Sequence, residues 1–86
     1  MKNAEDIINS ITEKSVLIMT LWGETNTYVL EKDEKTGNWG LRCIDDVHSD
    51  DSWYSWDIGD LDAVKEALRE DCKDEIITFI AIKKEE

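Results

Sequence analysis

The chain has 86 residues and a formal net charge of -11, from 21 acidic and 10 basic residues. This length predicts a single domain over residues 1 to 86, and 41% hydrophobic beside 36% charged residues is typical of a globular protein. The charge disfavours direct binding to nucleic acid or to an anionic membrane, because both draw affinity from basic side chains. A basic partner protein is favoured, although many domains are acidic simply for solubility.

The N-terminal stretch "MKNAEDIINSITEK" lacks the apolar core of an export signal, and no stretch approaches 18 apolar residues. A soluble, cytoplasmic protein is therefore expected. Cys43 and Cys72 lie far apart in a chain with one histidine, so we expect two buried free thiols and no zinc site. Glycine-rich phosphate loops are absent from the sequence, and no cofactor is expected.

The first elements follow from hydrophobic spacing. Asn3 is placed to cap a helix over about residues 4 to 13, whose apolar face is at helical spacing. "SVLIMTLW", residues 15 to 22, is apolar on both alternating sets, which predicts a strand covered on both sides. "TYVLEK" and "NWGLRCI" predict a hairpin in which Gly37 and Asn38 supply positive φ angles.

The second half adds a helix and a last strand. Asp60 can cap a helix with an apolar stripe that includes Leu61, Val64 and Leu68, and "EIITFIAIKK" predicts a strand apolar on both faces. The fold class is α+β in the order α-β-β-β-α-β, an antiparallel three-stranded meander plus a fourth strand paired with the first. Both helices pack mainly on one face. The other face needs either the tryptophan-rich loop or a second subunit. Because two strands are apolar on both faces while the helices cover only one, an at least partly dimeric protein, a homodimer, is expected.

Residues 45 to 57, "DDVHSDDSWYSWD", are expected to form an acidic, aromatic loop that contacts the partner. Its aromatic residues would anchor the partner while its carboxylates steer association. The predicted partner-binding residues, which continue onto the second helix, are Asp45, Asp46, Asp50, Asp51, Trp53, Tyr54, Trp56, Asp57, Asp60 and Glu66. The structural alternative is a set of solvated aspartates beside tryptophans that cover the open face of the sheet.

The same segment offers weak support for metal binding or catalysis. No register through residues 45 to 62 has the glycine and glutamate that a calcium loop requires. His48 could act as a base beside Asp46 or Asp50, yet no nucleophile accompanies it in a recognisable motif. We therefore expect neither a metal site nor an enzyme.

In size, charge and element order, the chain resembles the small acidic phage inhibitors of CRISPR nucleases. The segments that carry this order are "NAEDIINSI", "TYVLEKDEKTGNWGLRCI" and "DLDAVKEAL", whereas the terminal strand "EIITFIAI" departs from the helical inhibitors. The resemblance implies a non-enzymatic inhibitor that mimics nucleic acid in the groove of a basic nucleic-acid-handling protein, and it assigns no residue. An immunity-type inhibitor of a toxin and a small regulatory or structural domain are the alternatives.

Overall fold

The computed structural model describes residues 3–45 and 53–83, with residues 53 to 56 described by their backbone. The elements in chain order are α1 (Ala4–Asn9), β1 (Val16–Leu21), β2 (Glu24–Lys32), β3 (Trp39–Cys43), β4 (Trp53–Gly59), α2 (Leu61–Lys73) and β5 (Ile77–Ile82). The α+β class is confirmed. The predicted element order is incomplete, because the second part of the expected acidic loop forms a further strand, β4.

The five strands form one antiparallel sheet in the order β4-β3-β2-β1-β5. The predicted meander is present as β1, β2 and β3, and the predicted pairing of the last strand with the first is confirmed in the register Leu17↔Ile82 to Leu21↔Ile77. Strand β1 therefore lies inside the sheet with a partner on each side. Strands β4 and β5 form the two edges.

The core lies between one face of this sheet and the two helices, as the sequence predicts. Alternate residues of β1, β2 and β3 point to this face. Its buried side chains include Leu17 and Met19 from β1 and Leu41 from β3, which are fully covered. The helices contribute Ile8 from α1 and, from α2, the buried pair of Val64 and Leu68. The apolar residues at helical spacing and those at alternate strand positions thus pack together in a single apolar layer.

Local hydrogen bonds explain where the helices begin and end. The Asn3 side chain accepts from the Asp6 amide at 2.9 Å and begins α1 as predicted. The helix ends at Asn9 rather than at about residue 13, because Ser10 bonds back to the Ile7 carbonyl and the following residues bond among themselves. Hydroxyl side chains compete with helical hydrogen bonding in this way.

Arg69 of α2 joins the two helices. Its guanidinium donates to the Glu5 carboxylate at 3.2 Å and to the Asn9 side-chain oxygen at 2.5 Å. Lys65 adds a bond to the Asn9 carbonyl at 3.3 Å. These contacts orient α1 against α2. They also engage Arg69 and Lys65, two of the basic side chains that interrupt the acidic surface of α2.

The other face of the sheet carries no helix among the described residues. Val16, Ile18 and Val29 are half-buried there, and Phe79 of β5 is 53% exposed. An ion pair between Arg42 and Glu31, with 2.9 Å between nitrogen and oxygen, crosses the same face from β3 to β2. This open face has an apolar centre and a polar flank.

Two hairpin connections need positive φ angles. The connection from β1 to β2 is the pair Trp22 and Gly23, with φ angles of 48° and 84°. In the loop from β2 to β3, Gly37 has a φ of 78°, and its amide bonds the Asp33 carbonyl at 2.7 Å. Asn38 does not adopt the positive φ that its sequence predicted. Its side chain instead donates to Asp57 of β4.

Among the three glycines with a positive φ, Gly59, at the end of β4, should be the least tolerant of substitution. Its φ is +145°, and a Cβ there would lie 2.9 Å from the Ala63 Cβ. We expect Gly59→Ala to lower the free energy of unfolding by about 3 kcal/mol, from backbone strain and overpacking together. Gly23→Ala, which has a positive φ but open space, is the control and should cost only about 1 kcal/mol. Equal losses in chemical denaturation would contradict this difference.

Candidate functional site

The residues predicted to bind a partner do not form one loop. Asp45 follows the end of β3, whereas Asp57 and Asp60 lie at the far end of β4. The seven residues of β4 span about 20 Å at the usual strand rise. The predicted surface is therefore divided between opposite ends of the sheet.

Asp45 stabilises the end of the β2–β3 pairing. Its Oδ2 accepts from the Thr27 amide at 2.6 Å, while the neighbouring Ile44 amide donates to the Thr27 carbonyl at 2.9 Å. The Asp45 carboxylate thus takes the place of a main-chain acceptor beyond the last strand residue. Its position leaves it exposed to solvent, next to an Ile44 side chain that is 46% exposed.

Asp57 joins β4 to the loop between β2 and β3. Its Oδ1 accepts from Thr36 Oγ1 at 2.8 Å and from Asn38 Nδ2 at 2.9 Å. These two hydrogen bonds, the Thr36 bond first, lower the pKa of the Asp57 carboxyl below its ordinary value of 3.8. The φ of Asp57 is 56°, a left-handed conformation that aspartate tolerates better than most residues. Asp57 therefore has a structural role.

Asp60 and Glu66 also have partners within the chain. Asp60 caps α2 as predicted, since its side chain accepts from the Ala63 amide at 2.9 Å. The Glu66 carboxylate lies 3.5 Å from the Arg69 guanidinium, and its side chain remains mostly exposed. Each of these two carboxylates therefore has a partner within the chain.

The remaining predicted residues are described in part or not at all. Trp53, Tyr54 and Trp56 belong to the backbone of β4, where Trp53 is opposite Arg42 in the register. Asp46, Asp50 and Asp51, together with His48, lie outside the described residues. The contact role predicted for this segment stays a prediction.

The predicted partner-binding residues do not include Trp22, which is the most unusual surface residue of the described chain. Its side chain is 78% exposed at the tip of the β1–β2 hairpin, and its φ is 48°. A bulky residue in a left-handed conformation is rare, because its Cβ crowds the backbone. Asparagine or glycine is the usual choice for such a turn. The position thus combines an exposed apolar ring with a backbone conformation that disfavours it.

Acidic residues lie at the same end of the sheet as this tip. The Trp22 amide donates to the Ile76 carbonyl at 3.4 Å, which brings the hairpin to the segment that follows α2. We define the hairpin-tip surface by its exposed members, which are Trp22, Glu24, Ile44, Asp45, Asp74 and Glu75. The nearby Asp71 carboxyl has a raised pKa, through burial and then through the charge of Asp74. Exposed carboxylates therefore accompany Trp22 at this end of the sheet.

The sequence did contain a signal for this surface. A tryptophan and a glycine separate two apolar-patterned strands by two residues, which is the length of a tight hairpin loop. The first loop position requires a positive φ and projects into solvent. The turn was not predicted, because Trp22 ends the apolar run "SVLIMTLW" and was assigned to the strand with the rest of that run.

Residues 3–45 and 57–83 give little support for metal binding or for a reactive cysteine. No group of three His, Cys, Asp or Glu side chains is arranged there to hold a metal ion. Cys43 is buried and Cys72 is half-buried, and burial followed by the Asp71 charge raises the pKa of the Cys72 thiol. A raised pKa disfavours the reactive thiolate. Within the described chain, neither helix has the length and apolar character needed to cross a membrane.

Comparison with protein-family models, with curated proteins and with solved structures finds no match to this chain.

The titration of Asp57 tests its structural role. We expect the Asp57 pKa to lie below 3.8 and to rise towards that value in Thr36→Val, which removes the larger of the two stabilising hydrogen bonds. Because the folded-state pKa is the lower one, this stabilisation is present above the unfolded-state pKa and is lost as pH falls through the folded-state pKa. Carboxyl chemical shifts measured by NMR across acidic pH would report it. Thr78→Val, at an exposed site elsewhere, should leave the titration of Asp57 unchanged.

Proposed function

We propose that this protein is a non-enzymatic acidic inhibitor that binds a basic nucleic-acid-binding protein, such as a CRISPR nuclease, by occupying its nucleic-acid groove. The observation that carries the proposal is the exposed Trp22 in a strained turn among carboxylates. Exposed aromatic residues are frequent anchors at protein interfaces, and carboxylates around them favour a partner rich in arginine and lysine.

The strain at Trp22 supports a role in binding rather than in folding. A left-handed conformation for a bulky residue costs about 1 to 2 kcal/mol. No burial compensates for this cost, since the Trp22 side chain is 78% exposed in the free chain. Strained residues of this kind concentrate at functional sites, where the surrounding structure holds them in place. Contact with a partner would bury the ring and offset the cost.

The charge of the whole chain supports a basic partner. A net charge of -11 on 86 residues creates an attractive field for a basic surface and a repulsive one for phosphate. The grooves of nucleic-acid-binding proteins are lined with the basic side chains that such a field attracts. The acidic members of the hairpin-tip surface, followed in the sequence by Asp46, Asp50 and Asp51, would provide the charges that substitute for phosphates.

The described aspartates narrow the proposed contact surface. Asp57 and Asp60 maintain the loop contact and the helix cap, at the end of the sheet opposite to Trp22. Asp45 lies at the Trp22 end, and one of its oxygens accepts from Thr27. We therefore centre the contact on the hairpin-tip surface and treat the far end as structural support.

Replacing Trp22 with asparagine separates binding from stability. Trp22→Asn creates an Asn-Gly hairpin turn, so we expect unchanged or higher stability, by up to about 1 kcal/mol. Loss of the aromatic anchor should accelerate dissociation from the partner by about tenfold or more. Thermal unfolding and surface plasmon resonance on one sample measure both. Lys35→Asn, in the loop at the other end of the sheet, is the control and should alter neither.

Replacing aspartates should change association instead. Asn at positions 45, 46, 50 and 51 should slow association and flatten its salt dependence, because exposed charges act over a Debye length of about 8 to 10 Å. Asparagine at position 45 keeps an oxygen that can accept from Thr27. A control with the same charge change alters exposed acids elsewhere, through Glu13→Gln, Glu34→Gln, Asp62→Asn and Glu70→Gln. Equal association rates for the two quadruple variants at low salt would refute a local steering role.

The proposed target class is tested by competition. Immobilised protein is used to capture basic proteins from a cell lysate at low salt, in parallel with immobilised Trp22→Asn. A purified captured protein should then lose binding to its labelled DNA or RNA as the inhibitor is added, and excess nucleic acid should displace the inhibitor. A guide-loaded CRISPR nuclease is the first purified candidate. The proposal fails if the Trp22-dependent partner has no nucleic-acid-binding activity or binds its nucleic acid and this protein simultaneously.

A further inference from the structure

The outer edge of β5 is an open row of backbone hydrogen-bonding groups. In the part of the chain that the structure describes, β5 pairs with β1 on one side and with no strand on the other. The Lys83 amide donates to the Val16 carbonyl at 2.7 Å, which fixes the alternation along the strand. Antiparallel pairing then directs the amides and carbonyls of Ile80 and Ile82 away from β1.

Apart from a register shift near the start of β5, this edge lacks the devices that usually prevent strand-to-strand association. Residues 76 to 82 contain no charge and no proline, and Phe79 on the flank of the edge is 53% exposed. Charged residues, proline and bulges protect the edge strands of most monomeric proteins. The opposite edge has such protection, since β4 contains two register shifts and the left-handed Asp57. The register of β5 shifts only near its start.

The charges around β5 are complementary to a reversed copy of the same strand. Asp74 and Glu75 precede it and are exposed, while Lys83 follows it and is exposed. In an antiparallel pair of β5 strands, the Lys83 end of each copy lies beside the acidic start of the other. The uncharged stretch between them is also where two molecules of net charge -11 can approach with the least repulsion.

We infer that β5 pairs with β5 of a second copy of this chain, about a two-fold axis near Phe79, and joins two five-stranded sheets into one of ten strands. Such an interface is isologous, so each contact occurs twice. Backbone bonds from Ile80 and Ile82 provide the ladder, and the two Phe79 rings lie close to the axis on the open face. The inference goes beyond the proposed function and does not depend on it.

Sedimentation equilibrium of the full chain, from micromolar to millimolar concentration, tests the assembly. We expect the mass to rise from monomer to dimer, and Phe79→Lys to weaken dimerisation by about tenfold or more, because it places a charge on each side of the axis. Since Phe79→Lys makes the molecule less acidic, overall repulsion cannot explain a weaker dimer. Circular dichroism confirms that the variant is folded. A monomer at every concentration overturns the inference.

A charge reversal tests the orientation of the strands. Lys83→Glu should weaken the dimer by about threefold to tenfold, and adding Asp74→Lys with Glu75→Lys should restore it. Lys35→Glu, with the same change of net charge but a location in the β2–β3 loop, should cause only the smaller loss from added repulsion. Equal losses for Lys83→Glu and Lys35→Glu, without restoration, overturn the antiparallel arrangement.

Amide hydrogen exchange tests which surface forms the dimer. The amides of Ile80 and Ile82 should exchange more slowly at millimolar than at micromolar concentration, because only the dimer gives them acceptors. The inward-facing amide of Ala81 is the internal control and should be protected at both. A dimer in which Ile80 and Ile82 exchange at the monomer rate associates through another surface, which overturns the inference.

Discussion

Burial of the inner face of β1 under two helices is the interaction on which the rest of the structure depends. Leu17 and Met19 are fully covered there, and both edges of the strand are paired. Since both helices pack on this face, the opposite face and the β5 edge receive no helical cover from the described chain. The surfaces available for association are those that the helices leave open.

Much of the fold was predictable because its determinants are local. Strand alternation places Tyr28, Leu30 and Leu41 in the core, and the caps at Asn3 and Asp60 form between residues three apart. Strand β4 was missed because its pairing with β3 is irregular, and because it follows a run of aspartates that resembled a solvated loop. Trp22 was missed for another reason. An apolar residue after an apolar run resembles the core until the turn is recognised.

The acidic residues divide into two groups that composition alone cannot separate. Asp57 and Asp60 satisfy hydroxyl, amide and helix-end donors, and their carboxylates are needed for the fold. Glu24, Asp74 and Glu75 are exposed near Trp22 and contribute to the field around the hairpin tip. All of them add to the net charge, yet only the second group can offer both oxygens to a basic partner. This division explains why the predicted patch and the hairpin-tip surface share only Asp45.

The position of β1 between β2 and β5 also constrains how the chain folds as it is synthesised. The meander joins neighbouring segments and can form early, whereas Leu17 pairs with Ile82 and must wait for it. Until then, β1 exposes one unpaired edge and the helices lack part of their support. A ribosome-bound intermediate would thus expose an aggregation-prone apolar strand. Rapid pairing of β5 with β1 would protect the nascent chain from aggregation.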